Sequence, residues 1–172
     1  MALAVVLAAG AAMARPDRVG GDAATTRGQV TNLPLPRFVS LKAGKANVRR
    51  GPSLSHRVDW VYTKEGMPLE ITAEFGNWRR VRDSEGEGGW VHYSLLSGVR
   101  TVLVEKDYAP LRETPQVGAR PNAYAEQGVI ARLVSCKANW CRIRSGGYSG
   151  WVLRSEIWGV RADDFQKGAK GE

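Results

Sequence analysis

The chain has 172 residues and a formal charge of +8, from 25 Lys and Arg against 17 Asp and Glu, and 43% of it is hydrophobic. That length holds one domain or two small ones, excludes an eight-fold α/β barrel, and carries enough apolar content for a core. Two His and 2 Cys rule out most zinc sites built from one chain, since a four-ligand site would have to use all of them, and no apolar run approaches the roughly 20 residues of a membrane-spanning helix.

Leu3 to Ala12 reads LAVVLAAGAA, the length of the apolar part of a secretory signal, although no Lys or Arg precedes it. Ala12-Met13-Ala14 supplies the small residues a signal peptidase needs, so residues 1–14 are expected to be a signal peptide cleaved near Ala14. A buried helix and an uncleaved anchor are the alternatives. Residues 15–36 are expected to form a flexible linker: Arg15 to Thr31 is rich in Gly, Ala, Thr and Asp, without the apolar content that offsets ordering entropy. Leu33-Pro34-Leu35-Pro36-Arg37 should be extended, because Pro fixes its own φ and restricts the residue before it.

The body is one unit written twice. Ala46-Asn47-Val48-Arg49-Arg50-Gly51-Pro52-Ser53, Asn77-Trp78-Arg79-Arg80-Val81-Arg82 and Gly89-Trp90-Val91 mark the first copy. Ala109-Pro110-Leu111-Arg112-Glu113-Thr114-Pro115-Gln116, Asn139-Trp140-Cys141-Arg142-Ile143-Arg144 and Gly150-Trp151-Val152 mark the second. The offset is 63 from Ala46 to Ala109, 62 from Asn77 to Asn139 and 61 from Gly89 to Gly150, a drift that belongs in loops. Short alternating runs separated by Gly, Asn and Asp turns read as strands, and no stretch of the body keeps a helical period. The expectation is an all-β protein of two small barrels, 37–99 and 100–160, with a tail at 161–172, the barrels packed against each other because each is marginal alone.

Asn47-Val48-Arg49-x-Gly51-Pro52-Ser53, Asn77-Trp78-x-x-Val81, Gly89-Trp90-Val91 and Leu95-Leu96-Ser97-Gly98 resemble a bacterial SH3-like domain. The Leu35-to-Leu41 lead-in is similar to the tandem form of exported α-proteobacterial proteins, and the likeness covers residues 35–160. The second copy departs from the pattern, with Pro110, Thr114 and Gln116 where the first has Asn47, Gly51 and Ser53. The resemblance implies two tandem SH3-like barrels, a groove beside the first Trp that receives an extended peptide, and a periplasmic location.

Strand alternation locates the candidates. With Val81 inward, Trp78, Arg80 and Arg82 face outward; with Val91 inward, Trp90 and His92 do. In the second copy Trp140, Arg142 and Trp151 face outward in the same way. The candidate ligand-binding residues are therefore Trp78, Trp90, His92, Arg49, Arg50, Arg80, Trp140 and Trp151. The alternative is that the Asn-Trp and Gly-Trp pairs cover a loop or form the interface between copies. Cys136 and Cys141 flank a hairpin turn and map by the 62-residue offset onto Glu74 and Arg79, opposite charges suited to a cross-strand pair. In an exported protein, facing cysteines on paired strands are expected to form a disulfide; a buried free pair and metal or redox chemistry are the other readings.

Catalysis, cofactors and resident metal have no support. His56 and His92 share no copy with a cysteine, no phosphate-cradling Gly loop opens a helix, and the carboxylates Asp59, Glu65, Glu70, Glu74, Asp83, Glu85 and Glu87 read as solvated turn and strand-edge residues. Residues 38–100 and 101–160 each hold a net +3 with no basic run, which argues against a nucleic-acid arm. The expected function is a non-catalytic periplasmic module that binds an extended peptide, either a peptidoglycan stem peptide or a segment of an envelope protein. The rivals are a structural adaptor that never touches the wall and a small envelope hydrolase. Leu33 to Arg37 could also occupy an SH3-type groove as a Pro-containing ligand. Trp60 falls on no repeat landmark.

Overall fold

The computed structural model describes residues 26–161; the expected signal peptide at 1–14, the start of the expected linker and the tail after Arg161 lie outside the described residues. A short ribbon comes first, strand β1 (Thr26–Arg27) paired with β2 (Pro34–Leu35). Unit one then runs β3 (Arg37–Leu41), β4 (Ala46–Arg49), β5 (Val58–Tyr62), β6 (Pro68–Phe75), β7 (Trp78–Arg82), β8 (Gly88–His92) and β9 (Leu96–Ser97). Unit two repeats this with β10 (Thr101–Val104), β11 (Ala109–Arg112), β12 (Pro121–Ala125), β13 (Ile130–Lys137), β14 (Trp140–Ser145), β15 (Tyr148–Leu153) and β16 (Ile157–Trp158). A 3-10 turn precedes the last strand of each unit, Tyr93–Leu95 and Arg154–Glu156.

Each unit is one seven-stranded antiparallel sheet, ordered β5-β4-β8-β7-β6-β3-β9 in unit one and β12-β11-β15-β14-β13-β10-β16 in unit two. The matching orders confirm the repeat at the level of topology. In unit one Leu41, Val48, Tyr62, Leu69, Ile71, Val81 and Val91 converge from six strands on one core. Val102, Val104, Leu111, Ile143, Val152 and Ile157 do the same in unit two. A sheet whose strands all feed one core must wrap around it. Each fully buried Val, Leu or Ile contributes about 1.5–3 kcal/mol against the entropy of ordering the chain.

The glycine of each Gly-Trp pair has a packing reason. A Cβ on Gly89 would stand 2.7 Å from the Arg49 carbonyl oxygen, and one on Gly150 would stand 2.6 Å from the Leu111 carbonyl carbon. Only a bare Cα lets β8 and β15 cross this close to β4 and β11, where Arg49 faces Trp90 and Arg112 faces Trp151. Gly89→Ala and Gly150→Ala are expected to cost about 1–3 kcal/mol each, because the clash is with backbone. Urea unfolding checks this, and an unchanged midpoint would contradict the crossing argument.

The joint between units is aromatic and polar. Phe38 and Trp158 meet edge to face with centroids 4.9 Å apart, and the Arg100 guanidinium lies 5.7 Å from the Phe38 centroid. The Thr101 hydroxyl donates to the Gly66 carbonyl at 2.6 Å. The Asn-Trp and Gly-Trp pairs are not part of these contacts.

Two expectations need correction. Residues 26–36, read as the second half of a flexible linker, form an ordered strap on unit one. Leu35 is 6% exposed and joins the core, and the turn closes with Gly28 N–H donating to Leu33 O at 2.8 Å. The strap is anchored on Glu74. Its Oε2 accepts the backbone N–H of Val30 (3.0 Å) and Thr31 (2.9 Å), and its Oε1 accepts the Thr31 hydroxyl and Arg37 Nη2, both at 2.6 Å. With Pro34–Leu35 committed to this ribbon and the core, the Pro-containing segment is not a ligand in a groove of its own chain.

The second correction concerns three carboxylates read as solvated. Glu70, Glu74 and Asp83 are buried, each with partners. Glu70 pairs with Arg82, its cross-strand neighbour. Asp83 Oδ1 accepts the N–H of Glu85 at 3.0 Å and of Glu87 at 2.9 Å, which closes the β7–β8 turn. Burial pushes the neighbouring Tyr62 hydroxyl well above its ordinary pKa, and the charge of Asp83 adds to this.

Cys136 and Cys141 face each other across β13 and β14 and are joined by a disulfide, with no free cysteine elsewhere. At the corresponding place in unit one Glu74 faces Arg79, with Arg79 Nε 3.7 Å from Oε1. The closed loop is short, so replacing both cysteines by Ala should lower stability by about 2 kcal/mol. Comparison of urea midpoints tests this; equal midpoints would mean that the bond constrains nothing the hairpin does not already hold.

Candidate peptide-binding groove

The outer face of unit one is built by three neighbouring strands. Facing residues of an antiparallel pair share a face. The pairs Trp78–His92, Arg80–Trp90 and Arg49–Trp90 therefore put Arg49, Trp78, Arg80, Trp90 and His92 on one surface, as alternation predicts. Val81 and Val91 point the other way into the core, 2% and 0% exposed.

At one end of this face a surface groove of about 460 Å³ is lined by Lys45, Asn47, Arg49, Leu54, Trp78, His92 and Leu95. Trp78 and His92 form its aromatic side, with ring centroids 5.5 Å apart at 86°. The His92 ring is held by Ser94, whose N–H donates to Nδ1 at 3.4 Å and whose hydroxyl lies 2.8 Å from the same nitrogen. With Nδ1 accepting, the proton of the neutral ring sits on Nε2, which makes Nε2 a donor. Arg49 Nη1 donates to the carbonyls of Leu54 (3.0 Å) and His56 (2.7 Å), so this guanidinium braces the 50–57 loop that brings Leu54 to the groove.

The structure thus brings Trp78, His92 and Arg49 into one groove and leaves the other candidates outside it. Arg50 turns to Asp59 at 3.0 Å, a carboxylate also held by Arg57 at 2.6 Å. Both arginines, Arg50 first, hold the Asp59 carboxyl below its usual range. Trp90 and Arg80 continue the same face beyond the groove lining. Lys45 and Leu54 carry no sequence signal, and Asn47 and Leu95 stand in the quoted motifs without being among the binding candidates. Asn47 could have been found, since it lies two residues before Arg49 on the same strand.

Unit two presents a different surface. Trp140 and Trp151 are half-buried on the equivalent face, but the Arg112 guanidinium lies 5.8 Å from the Trp140 ring centroid. Leu153 stands opposite Trp140 where His92 stands opposite Trp78. The first unit thus carries an aromatic pair beside a loop, and the second a tryptophan covered by its own arginine. Among the described residues no group of three or more His, Cys, Asp or Glu could hold a metal ion, and no helix is long and apolar enough to cross a membrane.

Comparison with known proteins follows the two units. The family model described as bacterial SH3 domain matches residues 42–98 and 105–159. Solved structures that the chain matches include NlpC1 from Trichomonas vaginalis, at 15% identity and TM-score 0.34 over 72% of this chain and 45% of that one. NlpC2 from the same organism aligns at 16% identity and TM-score 0.33 over 71% of this chain and 47% of that one. The chain spans less than half the length of either. A search of curated proteins gives no significant match. With both seven-stranded units matched over well over half of its length, the chain belongs to the bacterial SH3 domain family, in two tandem copies.

Proposed function

We propose that the protein is a non-catalytic binding module of the bacterial cell envelope, working in the periplasm, whose first unit grips an extended peptide. The observation that carries this reading is the groove joining Trp78, His92 and the Arg49-braced loop on an outer face used neither by the core nor by the joint between units. A tryptophan edge and a donor at Nε2 suit a peptide backbone, and Lys45 in the lining, with Arg80 further along the same face, suits its carboxylates. The stem peptide of peptidoglycan offers both features, as does an acidic segment of an envelope protein. The fold of this family and the exposed basic face favour the wall.

Co-sedimentation of the full chain with purified sacculi tests the assignment. The protein should pellet with sacculi in moderate salt and stay in the supernatant without them. A chain that never pellets, yet retains an envelope protein in a pull-down, would move the function from wall binding to an adaptor.

A further inference from the structure

Trp60 is 46% exposed and Val61 38%, both on β5. The 63-residue offset pairs Trp60 with Ala123, so unit two has no counterpart. β5 is the outermost strand of its sheet, bonded to β4 on one side only among the described residues.

Residues 60–64 line a cleft of about 520 Å³ between the two units. Of these, Trp60, Val61 and Tyr62 belong to β5, so the cleft runs beside the strand whose outer edge has no partner among the described residues. The opposite wall comes from unit two through Leu103, Glu105 and Ile130. Backbone groups there are already engaged: Val104 N–H donates to Val129 O at 2.9 Å, Glu105 N–H to Glu156 O at 2.9 Å, and Gly128 N–H to Val104 O at 2.8 Å. One wall is therefore an open strand edge and the other a surface of side chains.

The charge of the cleft is opposite to that of the protein. Its lining holds Asp83, Glu85 and Glu105 against Lys64, in a chain of net charge +8. Asp83 is occupied by the β7–β8 turn, whereas Glu85 and Glu105 are exposed at the rim.

We propose that this cleft takes an extended polypeptide segment bearing Lys or Arg, which adds as a further strand along the edge of β5. Trp60 covers its aliphatic side chains, and Glu85 and Glu105 meet its cationic heads. The three strand residues that border the cleft, Trp60 to Tyr62, give a pairing edge of about 10 Å at about 3.3 Å each, enough for the central residues of a five- or six-residue segment. The site is separate from the Trp78 groove, so either can fail without the other.

The test uses the full chain and a fluorescently labelled, end-blocked hexapeptide of alternating Lys and Val, with anisotropy at low salt. Saturable binding is expected. It should weaken at least tenfold in Trp60→Ala and in the double variant Glu85→Lys/Glu105→Lys, all at exposed positions, and stay unchanged in Trp78→Ala. A peptide with Glu in place of Lys should not bind. Methylation of alternate peptide nitrogens should abolish binding, because it removes the donors of the added strand. Equal binding of the methylated peptide, or no effect of the Trp60 and Glu variants, would overturn the proposal. So would a dimer in sedimentation equilibrium that Trp60→Ala dissolves, since the edge would then belong to a second copy.

Discussion

Glu74→Ala is expected to lower the unfolding free energy by about 3–5 kcal/mol, the cost of removing one partner from a buried ion pair. The Glu74 side chain is fully buried, and the substitution would leave Arg37 and Arg79, 16% and 8% exposed, without their carboxylate. It would also release the N–H groups of Val30 and Thr31 that hold the strap. Urea unfolding measures the loss, and hydrogen exchange should show residues 28–33 deprotected. A loss under about 1 kcal/mol would mean that the strap is held by Leu35 alone.

The same group predicts a pH dependence. Burial pushes the Glu74 carboxyl up, but the hydrogen bonds from Thr31, Arg37 and Val30 outweigh it and hold the group down at about 2, against an ordinary 4.5. A carboxyl with a lowered folded-state pKa contributes stability that is full above its unfolded value and is lost as pH falls toward the folded one. The contribution is on the order of 3 kcal/mol. Wild type should therefore exceed Glu74→Gln in stability above about pH 5 and lose that advantage on acidification toward pH 2. A constant difference across that window would show that the charge of Glu74 is not what holds the strap.

Trp78→Ala is expected to weaken binding to sacculi by about 30-fold or more, as removal of a central aromatic contact does, with the fold retained because Trp78 lies on the outer face. Trp140→Ala should change affinity less than about threefold, since Arg112 already covers that ring. Binding assays on the two variants decide it. Equal losses would make the units functionally equivalent, and no loss in either would remove the groove from the function.

The architecture was legible because its signals are local and repeated. Alternation around Val81 and Val91 placed Trp78, Trp90 and His92 on the outer face, and the repeat offset brought Cys136 and Cys141 to a facing position. What escaped depends on residues far apart in the chain. The strap looked like a linker because its stabilising partner, Glu74, lies 43 residues beyond Thr31. Arg50 looked like a groove residue until Asp59 claimed it across the β4–β5 hairpin. Trp60 had no reading because its cleft is completed by the other unit, which no pattern within one repeat can show.

In the proposed function unit one, and not unit two, grips an extended peptide beside Trp78. The most direct test is a heteronuclear NMR titration of the full chain with a soluble peptidoglycan stem tetrapeptide, following the six indole N–H signals. The Trp78 indole and the His92 ring are expected to shift together and saturate, while Trp140 stays in place. Shifts confined to Trp140 and Trp151, or none at millimolar peptide, would contradict it.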